Sequence, residues 1–295
     1  MRRLASLTLV ACALACALPI TRSSIAVAQE PSAALHAQPF FFIQLTDPQM
    51  GMSADNANVE QERANLEFAV ATINRLRPAF VVVTGDLVNR TGDDRQIAGY
   101  LNVLGKVDRE IRVYNLPGNH DVGNTPTPES LAAYAKRFGP DRYIIRRGSF
   151  EAIVVNSQLM WAADKVPDLA AAQDAWLKEE LARARRDKMQ DIVVFQHHPI
   201  ILKDVDEADG YENIPRARRA QYLALLSEFG VRHVFAGHLH HNNVVRAGDL
   251  EIVGTGPIGK PLGEGARSGM RIVKLSARGI EHRYYDLGEL PNKLQ

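Results

Sequence analysis

Cysteine is nearly absent from this sequence, whose 295 residues include only Cys12 and Cys16. Both cysteines lie in an amino-terminal segment that starts with two arginines, continues as an apolar run over residues 4–20 and has a small-x-small pattern at residues 26–28. That order is typical of a secretory signal peptide, so we expect residues 1–28 to be removed and the protein to be exported, either periplasmic or secreted. The mature chain is then free of cysteine and must be stabilised by core packing rather than by disulfides.

Long hydrophobic runs are also missing. The apolar run of the leader is shorter than the roughly 18–20 residues that a membrane-spanning helix needs, and no later segment comes close. We therefore expect no membrane span in the mature chain, with an uncleaved amino-terminal anchor as the alternative. A lipid anchor on Cys12 is not expected, because the apolar stretch before this cysteine is very short.

Neither sign of charge dominates the sequence. The whole chain has 35 Lys and Arg against 34 Asp and Glu, and removal of residues 1–28 takes away three arginines and no acidic residue. The mature formal charge is then −2. A large nucleic-acid-binding surface needs a basic excess, so the sequence predicts no such surface.

The chain does contain a regular alternation of apolar runs and helical patterns. The first half predicts strands at 40–46, 80–83 and 111–116 and helices at 66–76 and 97–107. The second half predicts a hairpin around Gly148, a helix near 177–184, strands at 192–195 and 231–235, and a Gly-rich tail of short strands over 243–285. The β-α-β-α-β order favours a mainly parallel sheet covered by helices. Residues 29–38 are predicted to be a flexible lead-in, and residues 39–295 one mixed α/β domain of two packed sheets flanked by helices.

Polar residues of one chemical kind follow the predicted strands. Five strand ends offer carboxylate, amide or imidazole groups: Asp47 and Gln49, Asp86, Asn119 and His120, His197, and His238 and His240. Ligands bind at the carboxyl ends of strands in sheets of this type. Mixed oxygen and imidazole ligands suit divalent transition-metal ions, and two such ions about 3.5–4 Å apart share a hydroxide and neutralise a phosphoryl group. The sequence therefore predicts two divalent ions, with Mn, Fe, Zn and Mg as the candidates.

Three glycines lie directly beside these polar groups. Gly85, Gly118 and Gly237 each precede a predicted ligand. Glycine lets the backbone turn sharply and approach another group closely. These positions are therefore expected to bring the backbone up against the metal site.

The ordered set of motifs resembles a known superfamily. Asp-x-Gln at residues 47–49, Gly-Asp at 85–86, Gly-Asn-His-Asp at 118–121, His-x-Pro at 197–199 and Gly-His-x-His at 237–240 are similar to the motifs of the calcineurin-like metallophosphoesterases. The glutamine of the first motif and the stretches at 118–127, 156–158, 172–177 and 282–285 resemble the narrower calcineurin-like phosphoesterase domain-containing protein 1 group. The likeness extends over essentially the whole mature chain. It implies a four-layer α/β/β/α sandwich.

The resemblance also implies a role for each residue. The first metal would be held by Asp47, Gln49, Asp86 and His240, and the second by Asp86, Asn119, His197 and His238, with Asp86 as the bridge. His120 would protonate the leaving-group oxygen or stabilise its charge, a role that suits an imidazole titrating near neutral pH. The nucleophile would be a hydroxide that bridges the two metals.

Two positions depart from the superfamily pattern. Most members have histidine where this chain has Gln49, and an amide oxygen is a weaker ligand, so the first metal is expected to bind more weakly. Gln49 could alternatively line the cleft without touching metal. Asn89 stands where related serine/threonine phosphatases carry an aspartate that orients the catalytic histidine. Asn89 and Arg90 are candidate substrate-binding residues, with a plain surface arginine as the other interpretation of Arg90.

Some alternatives stay open at this stage. His197 is preferred to His198 as the ligand because it lies two residues before Pro199, as the family's ligand does. The charged segment 203–219 lies between two ligand motifs, so it either overhangs the cleft and selects substrates or forms a solvated loop that leads into a helix.

The sequence favours a dinuclear-metal phosphomonoesterase. The candidate substrates are phosphoserine or phosphothreonine in proteins, as the resemblance implies, and small phosphorylated metabolites or nucleotides. The alternatives are a phosphodiesterase with the same centre and a metal-binding or partner-binding protein without turnover. His120 argues against the last of these, because it is expected to bind neither metal.

Overall fold

The computed structural model describes residues 28–29 and 39–294, so the predicted signal peptide except its last residue, and most of the lead-in, lie outside the described residues. The described strands are β1 (Ala28–Gln29), β2 (Phe40–Leu45), β3 (Phe80–Thr84), β4 (Arg112–Leu116), β5 (Tyr143–Arg147), β6 (Phe150–Val154), β7 (Asp191–Phe195), β8 (His233–Ala236), β9 (Asn243–Ala247), β10 (Leu250–Gly254), β11 (Gly269–Ser276) and β12 (Gly279–Asp286). The helices are α1 (Glu60–Leu76), α2 (Asp94–Leu104), α3 (Asn119–Val122), α4 (Pro128–Phe138), α5 (Gln158–Trp161), α6 (Pro167–Arg186) and α7 (Arg216–Glu228), and a 3₁₀ turn spans Leu287–Glu289.

These strands form two mixed sheets. The five-stranded sheet has the order β12-β11-β2-β3-β4, in which β2, β3 and β4 run parallel. The seven-stranded sheet has the order β1-β5-β6-β7-β8-β10-β9, in which β6, β7 and β8 run parallel. Five of these parallel strands, β2, β3, β4, β7 and β8, are followed by the predicted ligands. Their carboxyl ends therefore meet at one edge of each sheet.

The alternation of side chains along the strands builds separate apolar layers. In β2, Phe42 packs between the two sheets, whereas Ile43 and Leu45 pack against α1 and α2 on the outer face. The ring of Phe42 stacks on Phe80 at 4.8 Å between centroids and meets Phe195 of the other sheet edge-on at 5.5 Å. A third apolar layer joins the seven-stranded sheet to α6 and α7. Three apolar layers separate four layers of structure, which confirms the predicted α/β/β/α sandwich.

The helix after β2 shows how the sequence pattern determines a boundary. The apolar residues predicted for this helix, from Leu66 to Ile73, are buried in α1. The helix ends at Arg77, which has the left-handed φ of 55° and closes the last turn through its backbone N–H. Pro78 follows and disfavours a helical conformation of the residue before it.

Two parts of the fold differ from the sequence pattern. Helix α4 was not predicted, although Thr127 and Ser130 form a reciprocal capping box and Pro128 occupies its first turn. The predicted short strands of the tail include a hairpin of two eight-residue strands, β11 and β12. Over residues 28–29 and 39–294, the helices are all too short or too polar to cross a bilayer.

Candidate metal centre

The loops after β2 and β3 run side by side and place the first ligands together. Asp47 donates its backbone N–H to the Gly85 carbonyl at 3.1 Å, and Gln49 donates to the Asp86 carbonyl at 2.8 Å. The chain therefore continues the pairing of the two strands beyond their ends. Asp47, Gln49 and Asp86 are carried on this paired extension rather than on free loops.

The backbone of this site is strained. Five of the predicted ligands have the left-handed φ that non-glycine residues rarely adopt, namely Asp47 (47°), Gln49 (37°), Asp86 (51°), His238 (72°) and His240 (56°). Left-handed φ at such residues costs on the order of 1–3 kcal/mol each and is concentrated at functional sites. The surrounding structure enforces these angles, which turn the five side chains inward.

Two of the predicted glycines leave no room for a side chain. A Cβ on Gly237 would lie 1.9 Å from Thr46 Oγ1, and a Cβ on Gly118 would lie 2.1 Å from Asp86 Oδ1. Contacts this short are impossible between non-bonded atoms. Glycine at these positions therefore lets the neighbouring strand ends close around Asp47 and Asp86.

The first group of ligand atoms contains Asp47, Asp86 and His240, whose ligand atoms all lie within 4.8 Å of one another. His240 Nε2 lies 3.4 Å from Asp47 Oδ1. Its Nδ1 lies 2.6 Å from the Lys260 carbonyl, which accepts a hydrogen bond from the ring. That bond leaves Nε2 of the neutral imidazole as a free lone pair that faces the carboxylates.

The second group contains Asp86, His197 and His238, so Asp86 belongs to both groups. His197 Nε2 lies 3.3 Å from Asp86 Oδ2 and 3.2 Å from His238 Nδ1. Asn119 Oδ1 lies 3.2 Å from the same nitrogen of His197. The Thr84 carbonyl, 2.9 Å from His197 Nδ1, fixes the tautomer of this ring.

The donor atoms of both groups fit divalent cations. All seven predicted ligands are buried, with Asp47, Gln49, Asp86, Asn119, His197, His238 and His240 at most 8% exposed. Asp47 Oδ1 and Gln49 Oε1 receive no aligned hydrogen bond from any described residue. A buried polar atom without a partner is costly unless a ligand satisfies it. Oxygen and imidazole donors aimed at one another match the preference of divalent ions such as Mn, Fe and Zn.

The charges of the site favour cation binding. Burial opposes ionisation of Asp47 and Asp86, but His240 holds the pKa of Asp47, and His197 that of Asp86, below the ordinary value. Burial alone would lower the pKa of His197, but Asp86 raises it to about 9, whereas burial and then His197 lower the pKa of His238 to about 4. Two buried carboxylates are thus held ionised next to imidazoles. A metal ion would replace the proton that they share, so binding is coupled to proton release.

Asp121 is a buried carboxyl group of this region for which the sequence suggested no role. It accepts hydrogen bonds from the backbone N–H groups of Gly118 at 2.8 Å and Leu87 at 3.0 Å. Burial first, and then the charge of Asp86, raise the pKa of Asp121 to about 8. Its position in the Gly-Asn-His-Asp motif was a signal that could have identified it. It ties the loop after β3 to the loop after β4.

His120 lies beside the two groups but belongs to neither of them. Its backbone N–H donates to Asp86 Oδ1 at 2.9 Å, and its ring Nδ1 lies 2.7 Å from the Asn89 carbonyl. The ring is half-buried. The hydrogen bond at Nδ1 leaves Nε2 as the exchangeable position of the imidazole, which is the arrangement that proton transfer requires.

The two candidate substrate-binding residues, Asn89 and Arg90, have different surroundings in the structure. The side chain of Asn89 forms hydrogen bonds with Gln49 and Asn56. The backbone carbonyl of Asn89, and not its side chain, orients the ring of His120. Arg90 is exposed next to it. Their contact with substrate stays a prediction.

Between the two candidate histidines, the structure places His197 in the ligand group and His198 outside it. His198 is fully buried, and its Nδ1 lies 3.2 Å from Ser157 Oγ. Its ring lies 4.0 Å from that of His238, centroid to centroid. Burial and the neighbouring His238 lower the pKa of His198, so it packs as a neutral ring behind the ligands.

Residues 203–215 overhang the second group of ligands, and α7 then begins at Arg216. Tyr211 of this segment accepts a hydrogen bond at its hydroxyl from Asn119 Nδ2 at 2.6 Å. Its carbonyl lies 3.1 Å from His238 Nε2, and the residue is 45% exposed. Tyr211 was missed because nothing in the local sequence distinguishes it from a loop residue. The segment is an exposed loop that leads into α7, and Tyr211 places part of it over the cleft, so both interpretations of its position hold. Its selection of substrates stays a prediction.

Arg219 anchors segment 203–215 from beneath. Its guanidinium is fully buried and donates to the carbonyls of Val205 at 2.9 Å, Glu207 at 2.8 Å and Ile214 at 3.0 Å. These bonds join both ends of the segment to one side chain. Because Tyr211 lies between these acceptors along the chain, we expect Arg219 to hold it in position.

Replacing Arg219 with Leu is expected to destabilise the protein by about 2–4 kcal/mol. Each buried carbonyl that loses its donor costs about 1–3 kcal/mol, and hydrogen bonds to water offset part of this cost. Urea unfolding measures the change, and limited proteolysis is expected to cut within residues 203–215 more rapidly. Arg218→Leu is the matched control, because Arg218 pairs with Asp174 of α6 instead. Equal protease sensitivity of the two variants would contradict the anchoring role.

Comparisons with known proteins agree with this architecture. The profile of the family described as calcineurin-like phosphoesterase matches residues 42–242. Serine/threonine-protein phosphatase CPPED1 of Rattus norvegicus is 37% identical over 270 residues, which cover 86% of each chain. Among solved structures, purple acid phosphatase PPD1 from yellow lupin (Lupinus luteus) has a TM-score of 0.65 at 14% identity and is matched over 86% of this chain and 52% of its own. GAP50 of Plasmodium has a TM-score of 0.63 at 16% identity, with 86% of each chain covered.

The two solved structures share the fold, and the sequence relatives carry the family assignment. These matches confirm the predicted phosphoesterase activity and the resemblance to the calcineurin-like phosphoesterase domain-containing protein 1 group, to which the CPPED1 relatives belong. The chain therefore belongs to the calcineurin-like phosphoesterase family, the metal-dependent hydrolases of phosphoric esters.

Proposed function

We propose that this chain is a phosphomonoesterase whose two divalent ions are held by the seven predicted ligands. The first ion would lie among Asp47, Gln49, Asp86 and His240, and the second among Asp86, Asn119, His197 and His238. The observation that carries the proposal is that two groups of buried ligand atoms share the carboxylate of Asp86. Such a shared carboxylate suits two ions at the separation that phosphoryl transfer requires.

Bound metal ions at this site would supply a nucleophilic oxygen at neutral pH and neutralise the charge of the phosphoryl group. The protein's own contribution is orientation. The carbonyls of Lys260 and Thr84 fix the ring positions of His240 and His197, so the ligand geometry is set before substrate arrives. The rigid, strained turns around Asp47 and Asp86 serve the same purpose.

His120 is proposed as the general acid. A monoester of an alkyl alcohol has a poor leaving group, which needs a proton as the ester bond breaks. The Asn89 carbonyl holds Nδ1, so Nε2 would carry the proton to the leaving oxygen. The hydrogen bond from the backbone N–H of His120 to Asp86 Oδ1 would keep the imidazole beside the two metal ions.

The proposed substrates are phosphoserine and phosphothreonine, because the relatives with 37% identity are named serine/threonine-protein phosphatases. Small phosphorylated metabolites have the same ester chemistry and form the second substrate class. The proposed export of the protein through residues 1–28 places either substrate outside the cytoplasm. The proposed catalytic domain of residues 39–295 contains all the ligands.

Hydrolysis of para-nitrophenyl phosphate and of bis(para-nitrophenyl) phosphate tests the proposal. Metal-stripped mature protein is assayed with Mn, Mg, Zn or Fe restored singly, and phosphoserine peptide is assayed under the best condition. We expect release from the monoester that depends on metal, with slower release from the diester. A preference for the diester would assign the site to a phosphodiesterase. Stoichiometric metal binding without turnover would assign the protein to the non-catalytic alternative.

A further inference from the structure

A chain of four side-chain amides runs from the start of α2 to the edge of the metal centre. Its members are Gln96, Asn56, Asn89 and Gln49, and neighbouring members are joined by hydrogen bonds of 2.8–3.1 Å. Gln96 is fully buried, whereas Asn56 and Asn89 are half-buried. An amide has a donor end and an acceptor end, so the direction of one member constrains the direction of the next.

The direction of the chain is set at Gln96. Its Oε1 accepts from the backbone N–H groups of Asn89 at 3.0 Å and Arg90 at 2.8 Å. Backbone N–H groups are donors only, so Gln96 must point its oxygen at them and its Nε2 at Asn56. The opposite orientation would place amide hydrogens against amide hydrogens.

Each following step is then fixed in turn. Asn56 Oδ1 accepts from Gln96 Nε2 and from Asn89 Nδ2, both at 2.8 Å. Because Asn89 uses its nitrogen in this bond, its Oδ1 is turned to Gln49 and accepts from Nε2 at 3.1 Å. Gln49 therefore donates through Nε2 to Asn89, and its Oε1 is turned away from Asn89. This buried oxygen has no hydrogen-bond partner among the described residues.

We infer that Gln96, Asn56 and Asn89 form an amide relay that holds Gln49 with its oxygen towards the first metal. The inference rests on the proposed function. Gln49 is the amide ligand proposed for the first metal, and its orientation matters because a reversed amide would offer the metal an N–H group that cannot bind it. The three other residues are positioning residues that act through Gln49.

The packing around the relay supports a fixed orientation. A Cβ on Gly51 would lie 2.6 Å from Gln96 Nε2 and 3.5 Å from Asn56 Oδ1. The loop after β2 is thus built directly against the relay. Such contact leaves the amide of Gln96 little freedom to rotate.

Two amide-to-acid substitutions separate the relay from a simple effect of charge. Gln96→Glu keeps the acceptor for the backbone but loses the donor to Asn56, so Asn56, Asn89 and Gln49 are each expected to reverse. Asn56→Asp keeps an acceptor towards both neighbours, so the relay keeps its direction. Both variants add one negative charge near the metal centre, which by itself would strengthen cation binding.

The test is calorimetric titration of metal-stripped mature protein with Mn²⁺. The parent is expected to bind two ions, and Gln96→Glu to bind one of them about 10- to 100-fold more weakly, as loss of a partner that orients a ligand does. Asn56→Asp is expected to keep both affinities. If Gln96→Glu does not fold, Asn89→Leu takes its place, because it removes the oxygen that accepts from Gln49 Nε2 and is also expected to weaken metal binding.

A Gln49→Glu background gives the decisive control. A carboxylate has two equivalent oxygens and needs no orientation, so Gln96→Glu is expected to cause no further loss of affinity there. Parent-like binding by the Gln96→Glu single variant, or equal loss in Asn56→Asp, would overturn the relay while leaving the proposed function intact. A parent protein that binds no Mn²⁺ would overturn the proposed function and the relay together.

Discussion

Replacing His120 with Ala is expected to lower kcat for a phosphoserine peptide by about 10²- to 10⁴-fold, the usual contribution of a general acid. The substitution removes the imidazole but keeps the backbone N–H that donates to Asp86. Metal binding should therefore be unchanged, since His120 lies outside both ligand groups. Para-nitrophenol leaves readily without a proton, so the loss of rate on para-nitrophenyl phosphate is expected to be smaller. Steady-state assays of both substrates measure this difference.

The matched control for this prediction is His241→Ala. His241 is an exposed histidine of the same region. A surface substitution of this type changes stability by about 0.5 kcal/mol or less, so parent-like activity is expected. An equal loss of rate on both substrates in the His120 variant would contradict the role in protonation, and unchanged activity would contradict any catalytic role.

Replacing Asp86 with Asn is expected to weaken both metal sites at once. Asp86 is shared by the two ligand groups, and the amide keeps only one oxygen and no negative charge. We expect activity to fall on the order of 10²- to 10³-fold or more, since the loss of one preorganised electrostatic group already costs that much. Calorimetric titration with Mn²⁺ should show that neither site retains the parent affinity.

The Asp47→Asn variant is the comparison that distinguishes a ligand of one metal from a ligand shared by both metals. Asp47 belongs to the first group alone, so its variant is expected to weaken one site and keep the other. Asp164→Asn, at an exposed aspartate, is the neutral control. Loss of only one metal in the Asp86 variant would contradict its place as the bridge.

Much of the architecture follows from the sequence, because it depends on local patterns. The apolar runs of β2 and β3 are strands with residues buried on both faces, and Phe42 and Ile43 pack on opposite faces as a period of two requires. The predicted helix after β2 ends at Leu76, just before Pro78, which disfavours a helical conformation of the residue preceding it. Helix α4 was missed although its cap at Thr127 is a local signal, because the stretch that contains Thr127 was interpreted only for its resemblance to a protein family.

The sequence by itself determined the residue types of the site and their order at the strand ends. Those are properties of short segments, and the carboxyl ends of parallel strands necessarily meet. The tertiary structure alone decided which atoms face one another. Tyr211 reaches Asn119 across 92 positions, and Gln49 reaches Asn89 across 40. The physical reason is that a hydrogen bond is directional and short-ranged, so its partner is fixed only when both loops have been placed by the packed sheets.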